Sequence, residues 1–527
     1  MLYDLSWLNP NKPFPPTSER DRIERYKQNE ALFNGDHFET STFRHREDHS
    51  SLLEMYSACA RRISRVIGNF EDVISFPTLL NYQRLLALKT ADLVCGEYPT
   101  ITGSNEQENA RLRAVRDYTD LDKKLYAAVI DISRYGDAVE RIYKDYNGNF
   151  TVTMWDPKEW FPVVAQDGTL NITHHCLCWV VDIEPEGPFH KYQLHVQIHE
   201  VDKPGQYEQR VYNLDSYKST IGKLVESKVI KTGLKICAVR HLKSFATTNT
   251  VYGYDDYMPL DSILAEIMAR IGQISVILDK HADPNITGPV SMLSVNEKTG
   301  EYYLKTGKFY AVSPGEEQPK YMTWDGQLTS AFKELEMLIN QLYILSEMGS
   351  ALLGDSMGSA QAVSGTAMRF KMAGPLSKAR RIVNSLTLPV RELLSALTET
   401  LPEGFASPQL SAESVPLYNI AIKWSDGLPN DPREQVEIAK LATGEDKLIP
   451  LEEAIIEYFG KSADEAKAWI KKIREESITV GDPNHPGPQD GTGVNSAAKG
   501  SETGMTSFTG QQNINQNTGK SKQISND

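Results

Sequence analysis

LDSILAEIMARIGQISVIL at residues 260–278 and LTSAFKELEMLINQLYILSEMGSALL at residues 328–353 decide the fold of this chain. In the first stretch the apolar residues are spaced three or four apart, on one stripe of a helix: Leu264, Ile267, Ile271, Ile274 and Leu278. The second stretch has a similar stripe: Leu328, Phe332, Leu335, Ile339, Leu342, Leu345, Met348 and Leu352. The sequence therefore predicts two helices, at 257–283 and 328–354, each at least about 30 Å long.

Residues 284–327, between these helices, contain short aromatic and apolar runs separated by glycine and proline. Tyr302–Leu304 and Phe309–Val312 have the composition of strands, and Gly307 and Pro314 mark turns. The pattern predicts a small β-rich insert at the far end of two long helices. An antiparallel helix pair in an ordinary globular core is the alternative interpretation.

A segment of small residues follows the second helix, after Gly354, which suits the left-handed conformation that ends many helices. It has too little apolar bulk to anchor itself, and we predict a loop over 355–366. Its members are Asp355, Ser356, Met357, Gly358, Ser359, Ala360, Gln361, Ala362, Val363, Ser364 and Gly365.

The next helix, predicted over 367–401, lies in the longest acid-free run of the chain, from Ser356 to Arg391. The chain as a whole carries 70 acidic against 56 basic residues. Gly374-Pro375 is expected to kink or interrupt the helix, because proline lacks a backbone donor. The basic side chains of this predicted helix either form a solvated face or bind a polyanion. They include Arg369, Lys371, Lys378, Arg380 and Arg381.

This order of elements resembles the stem, clip, stem, tunnel loop and kinked tunnel helix of tailed-bacteriophage portal proteins, especially the SPP1-like portals of long-tailed phages and prophages. Four short phrases carry the resemblance: VYGYDD (251–256), HADPN (281–285), LSEM (345–348) and VSGTA (363–367). The resemblance implies an α+β, predominantly helical, portal-type fold that assembles into a ring.

The remaining regions are assigned partly by this resemblance. Residues 1–256 combine predicted helices, at 18–33, 82–95 and 105–135, with strands from Ala138 onward, and they resemble the portal wing. Residues 402–427 resemble a strand returning to the wing. Predicted helices at 434–442, 450–459 and 462–475 make 428–476 resemble the crown. The polar segment 477–527 is predicted to be disordered.

The resemblance also implies partners and a location. A ring of about twelve identical subunits would surround passing double-stranded DNA at one capsid vertex of a virion. It would contact the terminase large subunit, the major capsid protein and the head-tail adaptor protein, after assembly in the bacterial cytoplasm. The tunnel loop would line the channel, and the five cations would contact DNA or carboxylates of a neighbouring subunit.

Composition excludes several other classes. The net charge of −14 argues against a tight nucleic-acid coat protein, because such proteins are normally basic. The sequence contains no run of 18 apolar residues, so we predict no membrane span. The N-terminus lacks signal-peptide features. The five cysteines are scattered, which does not suggest a disulfide framework. HHCLC at 174–178 alternates along a predicted strand without a second ligand pair, so we expect no metal site.

Two rival functions differ from a channel. A nucleic-acid translocase would need a phosphate loop, but the nearest match, TGKS at 518–521, has Ile514 where the first glycine belongs. No nucleophile elbow or zinc-protease motif occurs either, so we expect neither enzymatic activity nor a cofactor. A capsid-associated adaptor or scaffold without a channel is the other alternative.

Overall fold

A computed structural model describes residues 1–35, 80–186, 190–245, 247–282, 286–287, 293–295, 302–304, 315, 320–321, 328–353, 370–400, 414–425, 432–444, 448–459 and 463–479. The chain divides into two compact units, Met1–Pro429 and Asn430–Asp527. The first unit combines helices with antiparallel sheets, as expected for an α+β fold.

Within the described residues, the first helices of this unit are α1 (Arg20–Asn34), α2 (Tyr82–Cys95), α3 (Glu106–Thr119) and α4 (Leu121–Tyr135). The bounds predicted for α2 are confirmed. One continuous helix over 105–135 was wrong, because Asp120 adopts a left-handed conformation (φ 49°) that separates α3 from α4. Asn105 caps α3 by accepting a hydrogen bond from the Glu108 backbone N–H.

The short strand β1 (Thr100–Thr102) lies between α2 and α3. Strands occupy most of the chain between α4 and the first long helix: β2 (Asp137–Lys144), β3 (Phe150–Trp155), β4 (Trp160–Val164), β5 (Ile172–Asp182), β6 (Tyr192–Glu200), β7 (Gln206–Leu214), β8 (Ile221–Lys231) and β9 (Val239–Lys243). They form an antiparallel sheet of order β3-β2-β9 and another of order β4-β5-β6-β7-β8. The apolar N-terminal residues Leu2, Trp7 and Leu8 cover one face of the larger sheet.

The long helices are α5 (Asp261–Ala282) and α6 (Leu328–Leu345), followed by the short α7 (Gly349–Leu353) and by α8 (Ala373–Glu399). The second helix was predicted to continue to residue 354, but it ends at Leu345 and resumes at Gly349. Glu347 and Gly349 both have positive φ, of 59° and 65°. A left-handed non-glycine residue cannot continue an α-helix, so the prediction of one uninterrupted helix was wrong.

Helices α5 and α6 pack antiparallel, since Leu264 and Leu342 share one apolar cluster while Arg270 of α5 reaches Glu334 of α6 at 2.8 Å. The predicted α5 stripe is confirmed at Leu264 and Ile267, which are buried. It is broader than predicted, because Ala265, Met268 and Ala269 are buried too. On α6 two members of the predicted stripe, Phe332 and Leu345, are exposed instead.

Short strands of the insert follow α5: β10 (Ile286–Thr287), β11 (Leu293–Val295), β12 (Tyr302–Leu304) and β13 (Lys320–Tyr321). β10 pairs with β13 and β11 with β12, all antiparallel. The strand predicted at 302–304 is confirmed, whereas the one predicted at 309–312 lies outside the described residues.

Helix α8 contributes many buried residues to an apolar cluster of the first unit. Its buried Leu386, Leu393 and Leu397 belong to one apolar cluster with residues of α2, α3, α4, β2 and β3. Beyond α8, β14 (Ala421–Lys423) pairs antiparallel with β1. The strand expected within residues 402–427 is thus short, because Leu417–Asn419 forms a 3-10 turn. Residues 402–413 lie outside the description.

The second unit contains α9 (Pro432–Ala442), α10 (Leu451–Phe459) and α11 (Ala463–Thr479). Helix α10 packs on both others, and the rings of Phe459 and Trp469 are 6.3 Å apart. The three helices predicted in this region are confirmed within a few residues. Residues 477–479, predicted to be disordered, continue α11, and 480–527 lie outside the described residues.

Candidate functional site

The phrase VYGYDD at 251–256 leads into α5 and joins three other parts of the first unit. The Gly253 backbone N–H donates to the buried Asp137 carboxylate at 2.8 Å, and Tyr254 N–H donates to Ser244 Oγ at 3.0 Å. Tyr252 donates its hydroxyl to Glu19 at 2.5 Å. The start of α5 is therefore fixed to β2, to the end of β9 and to the segment before α1.

Asp255 and Asp261 share one arginine from α1. Arg25 Nη2 lies 2.8 Å from Asp255 Oδ1, and its Nη1 lies 2.7 Å from Asp261 Oδ2. Burial raises the pKa of Asp261 to about 6, although the charge of Arg25 opposes the rise. Asp255 also accepts hydrogen bonds from the backbone N–H groups of Tyr257 and Met258, which begin the first helical turn.

Asp256 binds the basic helix. Its Oδ1 lies 2.8 Å from Nζ of Lys378, which is only 6% exposed. Its Oδ2 accepts hydrogen bonds from Ser133 Oγ at 2.6 Å and from Thr90 Oγ1 at 3.4 Å. The Lys378 ammonium also reaches the Ser346 carbonyl at 3.4 Å. This buried network connects α2, α4, α8 and the end of α6.

The break between α6 and α7 lies against the N-terminal part of α8. Arg381 Nη2 donates to both carboxylate oxygens of Glu347, at 2.7 and 2.6 Å. A Cβ built on Gly374 would lie 3.3 Å from the Glu347 carbonyl oxygen, so the two backbones are in contact. Met348, the next residue, is fully buried in the apolar cluster that contains Leu264 and Leu342.

Gly374-Pro375 was expected to kink or interrupt the helix predicted over 367–401, and the helical run is interrupted at Met372, just before this pair. Phe370 and Lys371 are helical, Met372 interrupts the run, and α8 begins at Ala373. Pro375 is therefore in the first turn, where its missing N–H would have no intrahelical acceptor. A second proline, Pro389, lies inside the helix.

The five predicted cationic contacts separate into distinct groups. Lys378 and Arg381 are bound to carboxylates of their own chain, Asp256 and Glu347. Lys371 and Arg380 are exposed, and neither has an ion-pair partner among the described residues. Arg369 and the predicted loop Asp355–Gly365 lie outside the residues that the structure describes.

A family model described as "Phage portal protein, SPP1 Gp6-like" matches residues 78–177 and 289–479, together more than half of the chain. The chain belongs to this phage portal protein family. No curated protein matches this portal protein. Among solved structures it is similar to a chain from the "Neck of native GTA particle computed with C12 symmetry". That match has a TM-score of 0.37 and 13% identity, and it covers 72% of this chain and 89% of the other.

The matched ranges of this portal protein include α6, α7 and α8, and thus Glu347, Lys378 and Arg381. They omit VYGYDD and α5, although that phrase contributed to the resemblance. The carboxylate that neutralises Lys378 is therefore supplied by a part of the portal outside the family match.

The roles of Asp256, Ser346 and Glu347 in this portal were missed in the sequence. Asp256 and Glu347 were noted only as members of short phrases. A signal was available for Glu347, since it is followed by Met348-Gly349 and precedes a short glycine-bounded helix. For Asp256 no local pattern indicates a partner on α8.

HHCLC lies on β5 of the portal, as predicted, and its two cysteines are buried. His175 accepts a hydrogen bond from Trp160 Nε1 at 3.1 Å, and burial lowers the pKa of His175 to about 3. Within the described ranges no group of three or more potential ligands could hold a metal ion. In the same ranges, no helix has both the length and the apolar character needed to cross a bilayer.

Proposed function

We propose that this portal protein assembles into a ring around an axial channel, at one vertex of a phage capsid, through which double-stranded DNA is packaged and later released. The observation that carries the proposal is the family match across 289–479, because that range contains the helix, break and basic helix of the candidate site. The role is structural, and the chemical work of packaging would come from a separate motor.

Apolar side chains on α6 support contacts between subunits. Phe332, Met337, Ile344 and Leu345 are exposed although α6 packs against α5. In a ring each subunit presents two different faces to its two neighbours. A helix pair that contacts neighbours therefore needs apolar residues outside the contact between α5 and α6. We assign α5 and α6 to the stem and 284–327 to the clip.

The channel surface follows from this assignment. The loop 355–365 and the start of the basic helix would approach the DNA, with Arg369, Lys371 and Arg380 as candidate contacts. Each of these would meet either DNA phosphates or a carboxylate of the neighbouring subunit. Lys378 and Arg381 are not proposed as DNA contacts, because Asp256 and Glu347 already neutralise them. Contacts to DNA would be few and sensitive to salt in a protein of net charge −14.

The other regions receive proposed partners on the same basis. The clip would dock the terminase large subunit during packaging and the head-tail adaptor protein afterwards. The wing, 1–256 with the strand β14, would meet the major capsid protein, and the helices of 428–476 would form the crown. The ring would assemble in the bacterial cytoplasm and remain in the virion.

Electron microscopy of the purified protein, viewed end-on, tests the proposal. We expect a ring of about twelve subunits with a central hole wide enough for duplex DNA, and capsids lacking the protein should contain no DNA. A monomer or small oligomer that stays so inside capsids would favour a non-channel adaptor. ATP hydrolysis by the purified chain alone would favour a translocase.

A further inference from the structure

Two basic side chains from the start of α8 contact the interruption of the second long helix. Glu347, at the centre of the interruption, has φ 59° and accepts two hydrogen bonds from Arg381. The preceding residue, Ser346, gives its carbonyl oxygen to Lys378. Lys378 and Arg381 are three residues apart on α8, so both project from the same side of that helix.

Backbone packing accompanies these polar contacts. A Cβ built on Gly349 would lie 3.6 Å from the Lys371 carbonyl oxygen, and one built on Gly374 would lie 3.3 Å from that of Glu347. Glycines at both positions let the two segments approach closely. The contact joins the ends of the chain on either side of residues 354–369, since α7 ends at Leu353 and the description resumes at Phe370.

We infer that Glu347 and Arg381 form a clamp that fixes the end of the second long helix against the start of α8. The clamp sets the position and direction in which the chain leaves Leu353 and re-enters at Phe370. These two residues are therefore positioning residues of the portal. The part of this inference that concerns DNA rests on the proposed function.

The strength of the clamp is limited by its exposure. Both side chains are 44% exposed, so water and salt screen their attraction. The two-oxygen geometry places the pair at the stronger end of such surface pairs. We expect its loss to increase opening of the contact by about two- to five-fold without unfolding the unit.

Limited trypsin digestion of the full chain measures this opening directly. Trypsin cleaves after Arg369 and Lys371, on either side of the position where the description resumes, and mass spectrometry identifies those cuts. Glu347→Gln leaves all trypsin sites intact and should accelerate these two cleavages about two- to five-fold. Glu336→Gln is the matched control, because Glu336 is an exposed glutamate on α6. It should leave both rates unchanged.

A second comparison separates the clamp from general loosening. Arg381→Gln should accelerate the same cuts, and the double variant should add no further increase, because each single change already breaks the pair. Arg381→Lys should recover part of the protection. Additive effects in the double variant, equal acceleration at sites throughout the chain, or wild-type rates for Glu347→Gln would overturn the inference.

The functional arm uses assembled rings. Glu347→Gln protein should form rings normally, and capsids carrying these rings should retain less packaged DNA than capsids carrying wild-type rings. If wild-type protein forms no ring with a hole, the proposed function is wrong. The trypsin digestion still tests the clamp in that case, because it does not depend on ring formation. If wild-type rings package DNA and Glu347→Gln rings do so equally well, a positioning role in packaging is excluded.

Discussion

Gly136 and Gly253 lie back to back: a Cβ built on Gly253 would be 2.1 Å from the carbonyl oxygen of Gly136. Gly136 ends α4 in a left-handed conformation (φ 83°), and its carbonyl also accepts the Ser244 backbone N–H at 3.0 Å. No side chain fits between these backbones. The close approach permits VYGYDD to place Asp255 and Asp256 next to α1 and α4.

We predict that Gly253→Ala destabilises the first unit by about 3 kcal/mol, because the added methyl group forces two backbone segments apart. Gly148→Ala is the matched control: Gly148 has φ 82° but open space around its Cβ position. It should cost only about 1 kcal/mol, from conformational strain. Chemical unfolding monitored by circular dichroism compares them, and equal losses would show that the close contact is unimportant.

Removing either member of the buried pair Lys378 and Asp256 should lower the free energy of unfolding, because the other charge is left buried without its partner. Lys378→Met leaves the Asp256 carboxylate without its cation, and we expect a loss of about 3 kcal/mol in unfolding free energy. Asp256→Asn should also destabilise, and the double variant should lose at least 1 kcal/mol less than the sum of the two single losses.

Lys371→Met, on the exposed side of the same region, provides the control for this cycle. It should change the unfolding free energy by less than about 0.5 kcal/mol. A Lys378→Met variant as stable as this control would contradict the network and would return Lys378 to the candidate DNA contacts.

Glu140 gives a prediction for pH. It is buried on β2 opposite Arg240 of β9, and burial raises its pKa to about 7, although Arg240 and Lys124 oppose the rise. Because this pKa is above the ordinary value of 4.5, the folded state binds the proton more tightly. The resulting stability is present below about pH 4.5 and is lost as the pH rises to about 7.

Glu140→Gln should remove that dependence. Urea unfolding at pH 4.5 and pH 8 should show wild type losing on the order of 3 kcal/mol more than the variant between these conditions. Burial also raises the pKa values of Asp131, Glu159 and Asp261, but these groups remain in both proteins and cancel in the comparison. Parallel pH profiles for the two proteins would contradict the assignment.

Local periodicity predicted the helices well. The bounds of α2 were obtained from sequence alone, and the paired helices α5 and α6 were recognised by their apolar spacing. That spacing did not show where a helix breaks. Asp120 and Glu347 are ordinary helix residues by composition, and only their left-handed backbones in the folded chain separate α3 from α4 and α6 from α7.

Charge patterns were less informative than apolar patterns. Lys371, Lys378 and Arg380 look equivalent in an acid-free segment, yet Lys378 is buried against Asp256, which lies before α5. A cation's function depends on whether the fold brings a distant carboxylate to it. No spacing within the basic helix contains that information, so the set of candidate DNA contacts could not be narrowed from sequence.

The loop proposed to line the channel yields the last prediction. Deleting Ser356–Val363 should leave ring assembly intact, because the clamp and the stem contacts lie outside the deleted residues. Packaging or retention of DNA should fall at least tenfold, measured as DNA protected from nuclease inside capsids. Replacing the same residues by glycine and serine at equal length separates chain length from side-chain identity. We expect this replacement to retain more DNA than the deletion, since small residues already dominate the segment. Wild-type packaging by the deletion variant would remove the loop from the mechanism while leaving the ring itself intact.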